Sequence, residues 1–312
     1  MTVSVCMGTY NGSKYIIKQL QSILDQTRIP DEVVLCDDGS GDDTVSLIRQ
    51  FIEENHLEEK WKLICNKDRK GYPGNFYYAM NQCNGDLVFL ADQDDLWHRE
   101  KIELMCQAME QRKELLVLSC KFGLIDGDDQ SIHSIMAPTK SKQSGEIRPV
   151  DVAGVFYKCE WPGMVLAYRN HWYRDTEIFR KWKGCEIPHD LMICALAAEA
   201  RGFGQMDRDL AWHRRHDSNA GGEEHRILRL LDNKRKLEEI DVYLTNLERF
   251  LRGHYLKKES AIGAVQEKYA SMKGRKDALM SGKFSRVIRN AKENTGRVRL
   301  ATLVCDLLIV KR

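Results

Sequence analysis

The chain has 312 residues, of which 43% are hydrophobic and 30% are charged, enough apolar material to form a core and to exclude wholesale disorder. Its net charge of +2 is unevenly distributed: residues 223–312 carry 21 Lys and Arg against 12 Asp and Glu, whereas residues 1–222 carry 27 against 34. An acidic front and a basic tail indicate two regions with different partners, and the basic tail favours an anionic one.

The cysteine pattern and the hydropathy exclude further classes of protein. None of the ten cysteines belongs to a Cys-x-x-Cys pair, so no zinc ribbon or thioredoxin-like site is predicted. The sequence shows no secretory signal pattern, and no apolar run approaches the roughly 20 residues that a membrane span needs. We therefore expect a cytoplasmic protein with reduced cysteines.

Through the first 110 residues, short apolar runs alternate with amphipathic segments. Strands that are apolar throughout and separated by helices are typical of a mostly parallel, Rossmann-like sheet with helices on both faces, an α/β fold. In such sheets ligands bind beyond the carboxyl ends of the strands. The predicted strands are Val3–Met7, Glu32–Cys36, Trp61–Cys65 and Leu87–Leu90, and the predicted helices are Lys14–Leu24, Asp42–Glu54 and Asn75–Gln82.

The pattern changes in the rest of the chain. A Gly-, Ser- and Lys-rich loop at Asp126–Glu146 is expected to be mobile or a lid, and Gly221-Gly222 marks a change in composition. Beyond it the spacing predicts helices only, so we expect a basic helical C-terminal extension over residues 221–312. Strands are predicted at Leu115–Asp126, Val165–Tyr168 and Phe203–Met206, and helices at His189–Arg201, Leu228–Leu251 and Lys257–Lys273.

Polar loops follow three of the predicted strands, at Gly8–Gly12, Asp37–Asp42 and Asp92–Asp95. Parallel strands bring these loops to one rim of the sheet. Asp, Gly and Ser are also ordinary turn and helix-cap residues, and Asp42 suits such a cap. Six acidic groups on one rim nevertheless repel one another unless a cation or a hydroxyl-rich ligand lies among them. Asp92-x-Asp94 suits Mg²⁺ or Mn²⁺, which prefer carboxylate and phosphate oxygens.

These motifs resemble those of the family 2 glycosyltransferases, which have a nucleotide-sugar-binding GT-A fold. The similarity includes Val3–Asn11, Ser22–Gln26, Asp31–Ser40 and Gly85–Trp97, in the family's order and spacing. It covers residues 2–220 and implies a catalytic domain at 1–220, with a nucleotide-sugar half at 1–110 and an acceptor half at 111–220. The form Asp-Gln-Asp-Asp-x-Trp is similar to a subgroup rich in rhamnosyltransferases and related enzymes of surface-polysaccharide assembly.

The resemblance implies a pyrimidine-nucleotide site on the first two loops, for a UDP- or dTDP-sugar. Thr9 and Tyr10 would frame the base, with Asn11 in the same nucleotide-sugar-binding loop. Packing of Tyr10 against the first helix is the alternative. Asp38 would accept the ring N–H of the base.

The resemblance also implies a divalent cation. Asp92 would hold the ribose hydroxyls and take part in metal binding, and Asp94, supported by Asp95, would bind the Mn²⁺ or Mg²⁺ that bridges the diphosphate. That cation would stabilise the departing nucleoside diphosphate without a proton donor.

A basic segment near residue 214 resembles the family's arginine-rich segment over the donor. Arg214 or Arg215 would clamp phosphate oxygens, and a solvated basic loop is the alternative. His216 would complete the coordination shell of the metal. His213 is expected to have a structural role only.

An inverting transfer needs a carboxylate that deprotonates the acceptor hydroxyl. The position that matches the family's base is Asp190, at the start of a predicted helix. An acid favoured there by the helix dipole is the alternative, with Asp151 or Glu160 then the base. His189 is expected to be a neighbour of the base, and Trp161–Met164 to shape the site.

Together these residues predict a metal-dependent inverting glycosyltransferase acting on a saccharide or lipid-linked saccharide acceptor. The alternative is a nucleotide-sugar-binding or nucleotidyltransferase-like protein on a similar sheet. A dehydrogenase or a nucleotide-phosphate-loop enzyme is disfavoured, because neither G-x-G-x-x-G nor a Walker-type loop is present. The basic tail lacks the aromatic residues of a nucleic-acid stacking surface, so no nucleic-acid partner is expected.

The last 32 residues, Ser281–Arg312, carry eight Lys and Arg against two acids. Arg286, Arg289 and Lys292 share one helical face, and an apolar stripe follows from Leu300 to Leu308. The stripe could dock on the catalytic domain. The alternative is peripheral binding to the anionic inner leaflet of the membrane, near a lipid-linked acceptor.

Overall fold

The computed structural model describes residues 1–132, 141–158, 161–215, 232–294 and 300–311. Within these ranges the chain forms one sheet of nine strands and twelve α-helices. The strands are β1 (Val3–Thr9), β2 (Glu32–Asp37), β3 (Trp61–Cys65), β4 (Leu87–Ala91), β5 (Leu96–Trp97), β6 (Val117–Ile125), β7 (Ile147–Pro149), β8 (Leu166–Arg169) and β9 (Phe203–Arg214).

The helices alternate with the strands in the first half of the chain and follow one another at its end. A single 3₁₀ turn, Gly163–Val165, precedes β8. The helices are α1 (Ile16–Leu24), α2 (Thr44–Glu54), α3 (Gly74–Gln82), α4 (Lys101–Gln111), α5 (Val152–Lys158), α6 (Asn170–Asp175), α7 (Glu177–Lys181), α8 (His189–Glu199), α9 (Asn233–Gly253), α10 (Glu259–Met280), α11 (Phe284–Glu293) and α12 (Leu300–Lys311).

The sheet has the order β3-β2-β1-β4-β8-β6-β9-β5, with β7 paired to β9. The predicted parallel sheet is confirmed for β3, β2, β1 and β4. Beyond β4 the sheet is mixed: β8 is antiparallel to both β4 and β6, while β6 and β9 are parallel. Because β8 runs against β4, its first residues and the preceding 3₁₀ turn lie at the carboxyl end of β4.

The apolar pattern of the sequence explains this layered core. Every residue of β4 is buried, as expected for a central strand covered on both faces. On α1, Ile16, Leu20 and Ile23 are buried at helical spacing, so one stripe of that helix packs into the core.

The chain divides into two compact units. The first contains the sheet and α1–α4 and α6–α8, and the second contains α5 together with α9–α12. Helix α5 packs against α10. It also contacts α9, where the ring of Phe250 lies edge to face with the Phe156 ring of α5, at 5.3 Å between their centres. The sequence placed residues 152–158 in the catalytic domain, so the second unit includes a helix that precedes the expected boundary at 220.

The C-terminal helices form their own apolar cluster. Ile309 of α12 is buried with Ile240, Leu244 and Leu279. Asp306 accepts two hydrogen bonds of 2.7 Å from the Arg275 guanidinium, which ties α12 to α10. Among the helices described, none combines the length and apolar character that a bilayer crossing would need.

Candidate active site

The loops after β1, β2 and β4 meet at one edge of the sheet, as predicted, and hydrogen bonds join them. The Gln93 amide accepts the Tyr10 backbone N–H at 2.9 Å and donates to the Tyr10 carbonyl at 3.1 Å. The Asn11 N–H donates to Ser40 Oγ at 2.9 Å, and Asn11 Oδ1 accepts the Gly41 N–H at 2.8 Å. The three loops therefore form one hydrogen-bonded rim.

Thr9 and Asp37 pair across β1 and β2, and both are buried. The Thr9 hydroxyl donates to Asp37 Oδ2 at 2.9 Å, and the other Asp37 oxygen accepts the backbone N–H groups of Gly39 and Ser40. These bonds fix the turn after β2, since a carboxylate that accepts several donors holds its loop in one conformation.

The Asp38 carboxylate is buried beneath the loop after β3. It accepts hydrogen bonds from the Asn66 amide at 2.9 Å and from the backbone N–H groups of Lys70 and Gly71, both at 2.7 Å. The Arg69 guanidinium lies 3.9 Å from the centre of the Tyr10 ring, and its Nε is 3.8 Å from Asp38. Asp38 and Tyr10 therefore lie on the same side of the rim.

Four carboxylates lie close together beyond the end of β4. Burial and the neighbouring carboxylates of Asp95, Asp94 and Asp190 raise the pKa of Asp92 well above its usual range. Asp190 comes from a different element, the first turn of α8. The fold thus brings two of the predicted metal ligands, Asp92 and Asp94, close to the predicted base Asp190.

Burial raises the pKa of Asp190 to about 6, although hydrogen bonds from the backbone N–H groups of Leu191 and Gly163 act in the opposite direction. The Leu191 bond measures 2.7 Å. A carboxylate with a pKa near neutrality suits proton abstraction, because it is ionised at pH 7 and still a useful base.

The residues at this edge fit a divalent cation. Asp95 Oδ1 accepts the Arg214 N–H at 2.8 Å and is 3.0 Å from His213 Nδ1, whereas its buried Oδ2 has no hydrogen-bond partner among the described residues. A cation beside Asp92 and Asp94 would offset the mutual repulsion of the carboxylates. Within the described ranges no three His, Cys, Asp or Glu side chains are arranged as a complete metal site.

Lys101, which the sequence analysis did not single out, is fully buried behind the same loop. Its ammonium donates to the Met164 carbonyl and lies 3.7 Å from the centre of the Trp97 ring. Burial lowers the pKa of Lys101 to about 8, although the nearby carboxylates of Asp95 and Asp92 favour its charged form.

The family assignment follows from a match along the first half of the chain. The model of Glycosyl transferase family 2 matches residues 4–167. The chain belongs to this family. The rim loops after β1, β2 and β4 all fall within the matched range.

This family 2 chain has relatives with known names. It is 28% identical over 230 residues to an uncharacterized glycosyltransferase of Nostoc sp., covering 70% of this chain and 66% of the relative. It is 31% identical over 107 residues to the UDP-Glc:alpha-D-GlcNAc-diphosphoundecaprenol beta-1,3-glucosyltransferase WfgD of Escherichia coli, covering 34% of this chain and 40% of the relative. It is 31% identical over 101 residues to the dTDP-rhamnosyl transferase RfbG of Shigella flexneri, covering 31% and 34%. The matches span less than two thirds of each relative.

Solved structures share the fold of this family 2 chain. TarS 1-349 of Staphylococcus aureus in complex with UDP-GlcNAc has a TM-score of 0.58 at 16% identity, covering 100% of this chain and 90% of that one. The mannosyltransferase PcManGT of Pyrobaculum calidifontis, in complex with GDP-Man and Mn²⁺, has a TM-score of 0.55 at 16% identity, covering 99% and 85%. The expected GT-A fold is thereby confirmed.

Arg214 and Arg215, the two arginines predicted to bind phosphate, have different surroundings in the structure of this family 2 chain. Arg214 is fully buried and donates to the Asp94 carbonyl at 2.7 Å, to the Asp126 carbonyl at 2.9 Å and to the Asp129 carboxylate. These bonds favour a role in fixing the acidic loop, and phosphate binding by Arg214 stays a prediction. Arg215 is half-buried.

Two of the predicted residues, His216 as a metal ligand and Glu160 as an alternative base, lie outside the described residues. Asp151, the other alternative base, is exposed just before α5. Of the three candidate bases, Asp190 is the one that the structure describes within the acidic cluster.

Aromatic residues beside Asp190 were also missed. The His189 ring stacks on Phe76 at 4.1 Å with an interplanar angle of 7°, and Tyr72 lies edge-on to it at 6.0 Å. Nothing in the sequence around Tyr72 and Phe76 indicated that α3 and the start of α8 pack together. Tyr77 of α3 joins them by donating a 3.0 Å hydrogen bond to the Ile187 carbonyl.

Proposed function

We propose that this protein transfers a sugar from a nucleoside-diphosphate donor to a hydroxyl of a saccharide or lipid-linked saccharide acceptor, with inversion and with a divalent cation. The observation that supports this most strongly is the meeting of Asp190 with Asp92 and Asp94 at the carboxyl edge of the sheet, where Asp190 contributes to the raised pKa of Asp92. A group for proton abstraction and groups for a diphosphate-bound cation are thereby in one site.

The donor is proposed to be a UDP- or dTDP-sugar. The names of two relatives specify UDP-Glc and a dTDP-rhamnosyl group. A carboxylate has about four acceptor positions, and Asp38 uses three of them for Asn66, Lys70 and Gly71. The remaining position suits the ring N–H of uracil or thymine, and the base would lie near the Tyr10 ring.

In the proposed reaction, the Asp190 carboxylate takes the proton of the acceptor hydroxyl. The acceptor oxygen then forms a bond to the anomeric carbon of the donor sugar from the side opposite the diphosphate. The bond from that carbon to the diphosphate oxygen breaks, and its electron pair leaves with the nucleoside diphosphate.

Asp92 and Asp94 would hold Mn²⁺ or Mg²⁺, which would supply positive charge for the leaving diphosphate. Asp95 would act indirectly, since its bonds to His213 and to the Arg214 N–H fix the loop between β4 and β5. Lys101 would keep a positive charge behind the same loop.

We further propose that the second unit binds an anionic membrane surface, where a lipid-linked acceptor would be found. On α11 the side chains of Arg286, Arg289 and Lys292 are exposed, while Val287 is buried. Val304 and Leu308 of the adjacent α12 are exposed apolar side chains, 47% and 45% accessible. Basic and apolar exposed groups on neighbouring helices suit a membrane interface.

The proposed function is tested by a donor screen with purified protein and Mn²⁺, in which release of nucleoside diphosphate is measured for UDP-, dTDP- and GDP-sugars. We expect release with a UDP- or dTDP-sugar, its loss with excess EDTA, and its return when Mn²⁺ or Mg²⁺ is added in excess over the chelator. Full turnover in EDTA would refute metal dependence. Release of sugar 1-phosphate instead of nucleoside diphosphate would indicate the nucleotidyltransferase-like alternative, because transfer of the nucleotidyl group breaks the bond between the two phosphates.

A further inference from the structure

His189 precedes the proposed base and carries two buried nitrogens that nothing in the described structure satisfies. The side chain is 2% exposed, and neither Nδ1 nor Nε2 has a hydrogen-bond partner among the described residues. A buried polar atom without a partner destabilises the folded protein, because it has lost its hydrogen bonds to water. Its ring stacks on Phe76 and makes edge contacts with Tyr72 and Tyr77. A phenylalanine could make the same ring contacts, so packing alone does not require a histidine here.

The Nε2 atom lies beside residue 163, which is a glycine, and the gap between them is the position that a β-carbon on that residue would take. A β-carbon on Gly163 would lie 3.0 Å from His189 Nε2 and 3.9 Å from Asp92 Oδ1. The Gly163 N–H meanwhile donates to the Asp190 carboxylate. The gap is therefore bordered by the proposed metal ligand Asp92, by His189 and by the residue that binds the base.

The chemistry of this position favours a neutral hydroxyl over an anion. Burial lowers the pKa of His189 to about 3, so the imidazole is uncharged and offers one N–H donor and one nitrogen acceptor. Asp92, Asp94, Asp95 and Asp190 surround the region with carboxylates. A sugar hydroxyl both donates and accepts, which matches an imidazole nitrogen of either tautomer.

We infer that His189 Nε2 hydrogen-bonds a sugar hydroxyl at the reaction centre, and that Gly163 leaves the space for it. His189 is thus a substrate-contacting residue that discriminates between sugars, not only a packing neighbour of Asp190. The inference rests on the proposed function. The hydroxyl belongs to the transferred sugar or to the acceptor, and the assays below distinguish these two sources.

The main test compares His189→Phe with the wild type, using the donor found active in the screen. Phenylalanine keeps the stack on Phe76 and removes both nitrogens, so the thermal midpoint should stay equal or rise. We expect kcat/KM to fall roughly 10–100-fold, the loss of one or two hydrogen bonds to substrate. His171→Phe, at an exposed histidine of α6, is the matched control and should change neither quantity.

Two further variants keep the test decisive if His189→Phe fails to fold. His189→Gln places an amide near the position of Nε2 and should retain more activity than His189→Asn, whose amide lies near Nδ1. Gly163→Ala should lower kcat/KM while the protein stays folded, because its methyl group occupies the gap. A wild-type kcat/KM in His189→Phe would overturn the inference. If that variant does not fold, a wild-type kcat/KM in Gly163→Ala together with equal activity of the Gln and Asn variants would overturn it.

The source of the hydroxyl follows from two assays on His189→Phe. Slower donor hydrolysis without acceptor, with unchanged binding of UDP alone in calorimetry, assigns it to the transferred sugar. Unchanged hydrolysis with slower transfer assigns it to the acceptor. A wild-type protein that releases no nucleoside diphosphate from any donor refutes the proposed function itself, which is a different result from an active wild type with an equally active His189→Phe.

Discussion

At the scale of single residues, Asp190 shows how one position can meet two structural demands. A carboxylate in the first turn of a helix is favoured by the helix dipole and by free backbone N–H groups, and Asp190 accepts the Leu191 N–H. Burial acts in the opposite direction and raises its pKa to about 6. The helix start thus holds the side chain in place while burial keeps it basic enough to accept a proton.

Asp190→Asn tests this role. Because the amide cannot take a proton, kcat should fall by roughly 10²–10⁴ while the Kd of the donor stays nearly unchanged. In the wild type, kcat/KM should rise with pH through about 6, since only the ionised carboxylate is a base. This rise should be absent from the residual activity of Asp190→Asn. Near-normal kcat in the variant would mean that another group is the base.

Lys101 leads to a prediction about stability. Its pKa is about 8 in the folded protein and about 10.4 in an unfolded chain, so between these values the unfolded state binds more protons. The contribution of Lys101 to the free energy of unfolding must therefore rise with pH between about pH 8 and pH 10.4, by up to about 3 kcal/mol. Lys101→Met fills a similar volume and has no proton to lose.

Urea unfolding of the wild type and of Lys101→Met at a series of pH values provides the measurement. The difference between the two free energies of unfolding should be flat from pH 6 to 7 and should shift in favour of the wild type from pH 8 to 10. A difference that does not change over this range would show that Lys101 is not desolvated as the structure indicates.

At the scale of elements, most of the strands and helices that local patterns predicted match the structure within two residues at each end. The predicted strand Trp61–Cys65 matches β3 at both ends, and the helix predicted at Asn75–Gln82 begins one residue earlier, at Gly74. Local periodicity depends on burial, which is why it finds elements. It carries no information on pairing partners, so the insertion of the antiparallel β8 between β4 and β6 was not predicted.

The candidate site shows the same limit. Residue type and spacing led to the prediction of Asp92 and Asp94, and the resemblance to the family led to the prediction of Asp190. Arg214 and Lys101 could not be assigned in this way, because their bonds to the Asp94 and Met164 carbonyls depend on tertiary packing. A surface arginine and a buried one look alike in sequence.

Helices α11 and α12 give an element-scale prediction for the proposed membrane contact. The protein should pellet with phosphatidylglycerol vesicles at low salt and be released at high salt. Replacing Arg286 and Arg289 by Gln should weaken binding roughly 30-fold, at about 1 kcal/mol per charge. Val304→Asp with Leu308→Asp should also weaken it, while Val242→Asp, at a more exposed position of α9, should not.

All of these variants should keep the wild-type melting temperature, because the substituted side chains are exposed. Deleting Ser281–Arg312 would be a poorer test, since it removes Ile309 from the apolar cluster and Asp306 from its bonds with Arg275. A wild-type protein that does not pellet at low salt, or variants that pellet equally well, would rule out the membrane contact.

At the scale of the whole molecule, the two units do not follow one another simply along the chain. Val155 and Phe156 of α5 are fully buried, and the Tyr243 hydroxyl of α9 donates a 2.5 Å hydrogen bond to the Phe156 carbonyl. A boundary at residue 220, as drawn from composition, therefore separates α5 from the helices that cover it.

We expect a fragment of residues 1–220 to aggregate, because α5 would expose side chains whose burial is worth about 1.5–3 kcal/mol each. The same fragment with Val155→Asn and Phe156→Asn should be more soluble. Light scattering and size-exclusion chromatography measure the aggregation of the two fragments, with the full chain as the reference. A monodisperse 1–220 fragment without these substitutions would contradict the assignment of α5 to the helical unit.

The early position of α5 also has a consequence for synthesis on the ribosome. At about 5–20 residues per second, the last residue of α9, the first helix to cover α5, is added roughly 5–19 s after the last residue of α5. Throughout that interval the apolar face of α5 has no partner helix, whereas the parallel strands β1–β4 are already complete. The nascent chain thus carries a transient binding site for chaperones at residues 152–158, and synonymous codons that slow translation after this point would prolong its exposure.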